Sequence, residues 1–196
     1  MKFFLKWVFT LGIWGGVIVG IVTAYFAYDL PDTNKALEVS RRPLIKFLSR
    51  NGSKILESGN LKGVAIQINN LPKYISHAVI ATEDRRFYKH HGIDIIGIVR
   101  AFIRNMKAGR IVQGGSTISQ QAAKNLFLTP DRTFKRKYQE LLLAFWLEHK
   151  FTKDQILSIY LNRVYFGSGA FGVDAASRKY FGIPARKMTV FQAAII

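Results

Sequence analysis

Two carboxylates, Glu83 and Glu140, lie on either side of a segment rich in hydroxyl and amide side chains. That segment, residues 114–125, begins with two glycines and includes Lys124 near its end. One carboxylate could remove a proton while the other supports the leaving group, and cations could hold phosphate oxygens. This combination is what glycosyl transfer from a sugar diphosphate requires.

The first carboxylate belongs to a helix predicted from about Lys73 towards Arg86. Ile75, Val79 and Glu83 are spaced four residues apart, so the apolar face of that helix carries Glu83 near its end. An apolar shell would raise the pKa of a carboxylate and suit a base that works near neutral pH. The alternative is a salt bridge to a neighbouring arginine.

The segment at 114–125 predicts a second helix with one polar face. Its two glycines interrupt the chain, and a hydroxyl at 116 or 117 caps the helix that follows. Positions 117, 121 and 124 then share a face near the helix N-terminus, which suits sugar hydroxyls and phosphate oxygens. The alternative is a capped surface helix. The polar side chains expected to bind substrate here are Ser116, Thr117, Gln120, Gln121 and Lys124.

The second carboxylate lies on a helix predicted to begin at Thr129, with Pro130 in its first position. The apolar residues of this helix predict a core stripe of Phe134, Tyr138, Leu141, Leu142 and Phe145. Arg136, Lys137 and Glu140 project from a different face. The alternative is an ordinary surface pair of Lys137 with Glu140, worth about 0.2–0.5 kcal/mol.

The composition predicts an anionic partner. Lysine and arginine number 29 against 12 acidic residues, a net charge of +17, which suits nucleic acid, anionic lipid or a phosphorylated substrate. Residues 93–113 are both basic and apolar, as expected of a surface lying on anionic lipid or of an amphipathic core helix. The chain has no cysteine, which excludes disulfides and thiolate metal sites.

Residues 7–28 carry no charged side chain and are long enough to span a bilayer. A cleaved signal peptide is the alternative, but aromatic rather than small residues precede Asp29. Lysines precede the span and aspartates follow it, so we expect a cytoplasmic tail at 1–6 and the rest on the periplasmic face of the inner membrane. The span also has glycine at every fourth position, a pattern of some helix dimers: Gly12, Gly16 and Gly20.

Beyond the span, residues 29–71 are predicted to be a linker with a short β-hairpin around Asn51-Gly52 and a further strand at 64–68. From residue 72 onward the hydrophobic periodicity is helical, so 72–196 is expected to form one mainly α domain. Because the helical pattern still runs at the last residue, we expect this domain to be incomplete at its C-terminus.

Five motifs follow one another in the predicted domain. The first has the pattern Glu-Asp-x-x-Phe-x-x-His-x-Gly and consists of Glu83, Asp84, Phe87, His90 and Gly92. The third has the pattern Arg-Lys-x-x-Glu and consists of Arg136, Lys137 and Glu140. The second, fourth and fifth occupy residues 114–125, 153–162 and 167–182. With these motifs the chain resembles the peptidoglycan glycosyltransferase domain of class A penicillin-binding proteins and of monofunctional peptidoglycan polymerases.

Two details qualify the resemblance. Ser158 stands in the fourth motif where the family often has glutamate, which weakens a role for a carboxylate there. The hairpin before residue 72 is closer to the class A proteins than to the monofunctional ones.

The resemblance implies a lysozyme-like core that polymerises lipid II, with inversion at the donor anomeric carbon and release of polyprenyl diphosphate. Glu83 would be the base, and Glu140 would assist the leaving diphosphate, directly or through Mg²⁺ or Mn²⁺. The substrate-binding side chains would be Asp84, Phe87, His90, Ser116, Thr117, Gln120, Gln121, Lys124, Arg132, Arg136 and Lys137. Implied partners are membrane lipid, moenomycin-type inhibitors and other cell-wall synthesis proteins or a second copy, but not nucleic acid.

Two other functions fit part of the pattern. A lysozyme-like hydrolase or lytic enzyme would use the same two acids on finished glycan, but it needs no diphosphate site. A membrane-anchored binder of nucleic acid would use the basic surface and depend steeply on salt. It leaves the two glutamates unexplained.

Overall fold

An N-terminal helix, α1, covers Lys2–Tyr28 and precedes a separate helical body. The computed structural model describes residues 2–31, 45–58, 61–129, 131 and 133–196. Within that part of the chain, α1 is the one helix long and apolar enough to cross a membrane, over Phe3–Tyr28 with a mean hydropathy of 1.9. Its side chains are exposed except near its C-terminal end, where α1 meets the body.

The β-hairpin lies where the sequence predicts it. Strands β1 (Ile45–Leu48) and β2 (Lys54–Ser58) pair antiparallel, and the turn between them contains Gly52 with φ of 81°. Only glycine adopts such a φ without strain, which is why an Asn-Gly pair predicts this turn.

The strand predicted at 64–68 is wrong. The third strand, β3, covers Leu61–Lys62 and pairs parallel with β4 (Ala170–Phe171). Alternate backbone N–H groups after β3 instead donate to side chains: Val64 to Asp174 (2.9 Å), Ile66 to Asn162 (2.8 Å) and Ile68 to Ser158 (3.1 Å). Every second backbone N–H group therefore forms a hydrogen bond, as in a strand. The acceptors, however, are side chains on helices and not the backbone of a neighbouring strand.

Among the described residues, seven α-helices follow α1. They are α2 (Lys73–Glu83), α3 (Ile95–Ala108), α4 (Ile118–Phe127), α5 (Phe134–Lys150), α6 (Lys153–Arg163), α7 (Val173–Phe181) and α8 (Val190–Ile195). Short 3₁₀ turns occur at Ile68–Asn70, Phe87–Lys89 and Ala185–Lys187. The mainly α architecture agrees with the prediction.

Helix α4 is the centre of the core, because it lies against both α5 and α6. Its buried face includes Ala122 and Ala123, whose small side chains let neighbouring helices approach closely. Helices α4 and α6 each begin with a capping box, which satisfies backbone donors at a helix start: Thr117 with Gln120, and Thr152 with Gln155. The largest buried side chains around them are Ile118, Leu143, Leu147, Ile156, Leu157 and Leu161.

Helix α5 begins later than predicted. Its N-cap is Thr133, whose Oγ1 accepts a hydrogen bond from the backbone N–H of Arg136. The hydroxyl of Thr129 instead donates to the Asp131 carboxylate at 2.7 Å, and Pro130 lies outside the described residues. Two threonines are suitable caps here, and sequence alone does not distinguish them.

The core stripe predicted for α5 is also wrong. Phe134 is 96% exposed and Phe145 is 45% exposed. The residues that α5 buries are Gln139, Glu140, Leu143, Ala144 and Leu147. The hydrophobic pattern failed because two polar side chains with partners occupy the buried face, while large apolar ones remain at the surface.

Candidate active site

Glu83 is the last residue of α2, and its side chain is exposed. Its Oε2 accepts a 2.7 Å hydrogen bond from the side-chain amide of Gln121 on α4. The position near the helix end agrees with the prediction. The apolar shell expected around Glu83 is wrong, because α2 ends at this residue and no further turn covers the carboxylate.

A cavity of about 230 Å³ lies beside Glu83. Val79 and Thr82 of α2, Tyr160 of α6 and residues 193–196 contribute to its wall. Burial raises the pKa of the Tyr160 phenol, and the charge of Glu83 raises it further. Tyr160 lies far from Glu83 along the chain, and the sequence offers no signal for this neighbour of Glu83.

Asp84, the residue after Glu83, connects α2 to the start of α4. Its carboxylate accepts a 3.1 Å hydrogen bond from the backbone N–H of Ile118 and lies 3.0 Å from Nε2 of His90. The first N–H groups of a helix lack intrahelical acceptors, and the helix dipole favours a carboxylate there. Asp84 thus fixes the start of α4 next to Glu83.

Several residues that were predicted to bind substrate are buried inside the fold. Their exposed fractions are 7% for Asp84, 0% for Phe87, 7% for His90, 2% for Thr117 and 5% for Gln120. Side chains so completely covered cannot contact a large glycan directly in this conformation. These five side chains lie beneath the exposed carboxylate and support it.

Thr117 shows how this support is built. Its hydroxyl donates a 2.7 Å hydrogen bond to the backbone carbonyl of Gly92 and accepts one from the backbone N–H of Gln120. The side chain of Gln120 in turn accepts from the backbone N–H of Thr117. The predicted cap is thereby confirmed as Thr117, and the cap also joins α4 to Gly92, the last residue of the first motif.

A cluster of charges surrounds Glu140, which is 3% exposed. The ammonium of Lys137 donates to Oε2 of Glu140 at 2.9 Å and to the hydroxyl of Ser116 at 2.7 Å. The guanidinium of Arg136 pairs with the other carboxylate oxygen. Burial lowers the pKa of Lys137, and the nearby charges of Arg136 and Lys124 lower it further. Two cations therefore pair with Glu140, and Lys124 is near enough to Lys137 to affect its pKa.

The helix α4 region connects the two predicted catalytic acids. Gln121 on α4 bonds Glu83, and Ser116, just before α4, bonds Lys137 and through it Glu140. The structure therefore brings together the exposed acid, the amide and the cationic cluster around one helix start. Arg132, also predicted to bind the diphosphate, lies outside the described residues.

A divalent cation at Glu140 would have to compete with two charged side chains. One carboxylate oxygen faces Arg136 and the other faces Lys137, so a metal ion would have to share or displace these partners. In the part of the chain that the structure describes, no three His, Asp or Glu side chains form a cluster that could hold a metal ion.

A second ionic cluster, which the sequence did not predict, joins the three central helices. The hydroxyl of Ser119 on α4 donates to Glu148 on α5, and the ammonium of Lys153 on α6 donates to the same oxygen at 2.7 Å. Lys153 also lies 4.5 Å from the ring centroid of Phe87. Ser119 belongs to the second motif, but nothing in the sequence reveals its partner across the fold.

Helix α3 presents an unusually apolar surface. Only Gly97 and Ala101 of this helix are buried, whereas its large apolar side chains are exposed. The exposed ones are Ile95, Ile96, Ile98, Val99, Phe102, Ile103 and Met106. The amphipathic helix predicted within 93–113 is present, and its exposed apolar side chains favour the lipid-surface alternative over the core helix. A soluble surface rarely leaves so large an apolar patch without a partner.

The fold and the site define an enzyme domain with an exposed carboxylate beside a cationic cluster. The transglycosylase family model matches residues 51–196. The chain therefore belongs to the transglycosylase family, and this region is a peptidoglycan glycosyltransferase domain of the class A penicillin-binding protein type. Its helical core is accordingly the lysozyme-like one that the resemblance implies.

Similar proteins are known in distant bacteria. The chain is 43% identical over 187 residues to penicillin-binding protein 1A of Aquifex aeolicus. The aligned residues cover 95% of the chain and 25% of that protein. It is 44% identical to penicillin-binding protein 1F of Bacillus subtilis, over 77% of the chain and 21% of that protein. It is 40% identical to penicillin-binding protein 1A of Escherichia coli, over 92% of the chain and 21% of that protein. The chain thus spans about a quarter or less of the length of these relatives.

Proposed function

We propose that this chain joins lipid II units into glycan strands at the outer face of the cytoplasmic membrane. The growing strand, on its polyprenyl diphosphate, is the donor, and the next lipid II is the acceptor. The proposal rests on the family, on the exposed position of Glu83 and above all on a cationic cluster: Arg136 and Lys137 pair with Glu140, and Lys124 is close to Lys137.

Glu83 is the general base of the proposed reaction. Its carboxylate takes the proton of the acceptor 4-hydroxyl, and that oxygen attacks the donor anomeric carbon. The bond from the anomeric carbon to the phosphate oxygen breaks, and its electron pair leaves with the polyprenyl diphosphate. Attack from the opposite face inverts the anomeric centre from α to β. Gln121 holds the Glu83 carboxylate in place through its 2.7 Å hydrogen bond.

The cationic cluster stabilises the leaving diphosphate. Burial lowers the pKa of Lys137, and the charges of Arg136 and Lys124 lower it further. Glu140 balances only one of these three positive charges, which leaves an excess. An anion with several phosphate oxygens relieves it, because charge-assisted hydrogen bonds to phosphate are stronger than neutral ones. Lys124, Lys137 and the hydroxyl of Ser116 are the proposed diphosphate contacts, together with Arg132.

Glu140 acts by holding these cations. One oxygen of the Glu140 carboxylate pairs with Arg136 and the other with Lys137, so this carboxylate is already engaged with cations of the cluster. We therefore assign Glu140 the task of orienting Arg136 and Lys137 towards the diphosphate. The divalent cation expected from the resemblance stays a prediction, to be tested by activity in the presence of a chelator, and no step is assigned to it.

The five buried motif residues position the site in this proposal. Asp84 and His90 fix the start of α4, and Thr117 with Gln120 caps it. Phe87 fills the core beneath them. Together they keep Gln121 against Glu83 and Ser116 against Lys137.

The membrane provides the proposed surface for the lipid-linked substrate. Helix α1 would span the bilayer with its lysines on the cytoplasmic side, as the positive-inside rule requires. The apolar face of α3 would lie in the outer leaflet, with Arg104 and Lys107 near lipid phosphates. Binding of moenomycin-type inhibitors, of cell-wall synthesis partners or of a second copy belongs to the same proposal.

A lysozyme-like hydrolase remains the alternative function. It needs no diphosphate site, so the cationic cluster beside Glu140 would have no role in that reaction. Labelled lipid II and labelled finished glycan, each incubated with the whole chain in detergent, separate the two activities. Polymer from lipid II supports the proposal, whereas fragments from glycan without polymer refute it.

A further inference from the structure

The membrane helix and the diphosphate side of the site meet on the same two turns of α5. Lys135, Tyr138 and Gln139 of α5 contact the C-terminal end of α1. Arg136, Lys137 and Glu140, interleaved with them in sequence, form the cationic cluster. At about 100° per residue, the two sets of side chains point about 150° apart around the helix.

Gln139 makes the central contact with α1. It is 6% exposed, and its side-chain amide donates to the backbone carbonyls of Asp29 (3.1 Å) and Phe26 (3.4 Å). The last four carbonyls of any helix lack intrahelical donors, and at the edge of a membrane water satisfies them only in part. Gln139 therefore acts as a C-terminal cap for α1, provided from another helix.

Two further contacts fix the direction of α1. The hydroxyl of Thr23 donates to the backbone carbonyl of Val19, so the 2.7 Å contact between Thr23 and Tyr138 has the Tyr138 hydroxyl as its donor. The Tyr138 ring lies 5.2 Å from the ring of Phe26. Lys135 pairs with Asp29 immediately after the helix. These contacts allow little rotation of α1 relative to α5.

We propose that Gln139 is a positioning residue that sets the depth of the diphosphate site relative to the bilayer. It would do so by docking α5 onto the end of the membrane helix. The substrate's polyprenyl chain lies in the bilayer, so its diphosphate is confined to the headgroup region. The cations of α5 meet it only if α5 is held at that depth. This inference rests on the proposed function, because it concerns the same lipid-linked diphosphate.

The test compares the whole chain in lipid nanodiscs and in detergent micelles, with labelled lipid II. Gln139→Met keeps the side-chain length but removes the amide, and Gln67→Met is a matched control at an exposed glutamine. In nanodiscs, Gln139→Met should lower kcat/KM about tenfold, as misplacement of a reactive group does. In detergent, which imposes no fixed plane, the loss should be at most about twofold.

Three results are distinguishable. An equal loss in both media identifies a purely structural residue and overturns the inference, as does unchanged activity in nanodiscs. Absence of polymerisation by the unaltered chain in both media refutes the proposed function instead.

A second measurement does not depend on activity. The chain has no cysteine, so Phe134→Cys, at a 96% exposed position on α5, accepts a single fluorescent label whose depth is read by spin-labelled lipids. We expect Gln139→Met, and Tyr138→Phe if the methionine variant unfolds, to shift the depth of this label. An unchanged depth in the folded variant overturns the inference.

Discussion

The side-chain amide of Gln121 lies 2.7 Å from the carboxylate of Glu83 and donates a hydrogen bond to it. This bond joins the end of α2 to the first turns of α4, whose start is also fixed by Asp84. The exposed acid is therefore held at a defined angle although solvent surrounds it.

Glu83→Gln should abolish polymerisation and leave the fold intact. The change removes the base but keeps the size of an exposed side chain, so little stability depends on it. We expect turnover to fall about 10²–10⁴-fold, the usual contribution of general base catalysis. Turnover on labelled lipid II and the melting temperature measure the two effects. Asp154→Asn, at another exposed carboxylate, is the matched control. If Glu83→Gln keeps more than about a tenth of normal turnover, Glu83 is not the base.

Gln121→Glu should impair catalysis more than Gln121→Ala does. The alanine removes the donor, whereas the glutamate adds a like charge beside Glu83 and raises the pKa of one of the two carboxylates. We expect the lower limb of the pH–rate profile to move to higher pH in the glutamate variant only. A profile that is identical for the two variants and the unaltered chain would show that Gln121 does not govern Glu83.

The sequence predicts the catalytic elements better than it predicts their surroundings. The helix start at Thr117, the Asn-Gly hairpin and the location of Glu83 at a helix end follow from local chemistry. The predictions of an apolar shell around Glu83 and of the core stripe of α5 were wrong. Helical periodicity shows which residues share a face of the helix, but not which other parts of the fold cover that face. Contacts between residues far apart, such as Ser119 with Glu148, carry no local signal at all.

Binding of phosphoglycerate-bearing, moenomycin-type inhibitors should weaken as pH rises through the pKa of Lys137. Burial, with the charges of Arg136 and Lys124, lowers that pKa below its usual value of 10.5, and only the protonated amine binds phosphate. Affinity should therefore be full below the lowered pKa and be lost above it. Lys137→Arg stays charged at all these pH values, so its affinity should not vary. Titration above pH about 7, where phosphate groups are fully ionised, isolates the lysine.

A tryptophan on the apolar face of α3 should contact lipid. Phe102 is 62% exposed on that face, so the fluorescence of Phe102→Trp should be strongly quenched by brominated acyl chains in vesicles. Phe191→Trp on α8 is the control, since Phe191 is also an exposed aromatic. Subtracting the signal of the unaltered chain removes the native tryptophans. Equal quenching at the two positions would contradict a lipid-facing role specific to α3.

Lys124→Ala should weaken inhibitor binding and catalysis together. Lys124 lies on α4 near enough to Lys137 to lower its pKa, so the two charges are close in space, as binding of one diphosphate by both would require. Loss of one charge-assisted hydrogen bond should cost about 1.5–3 kcal/mol, or roughly 10- to 100-fold in affinity. Inhibitor affinity and the melting temperature are measured on the same variant, with Lys150→Ala at the exposed end of α5 as the control. Because removing one of several like charges relieves repulsion, the melting temperature should not fall. A lowered melting temperature with unchanged affinity would identify Lys124 as a structural lysine and refute its phosphate-binding role.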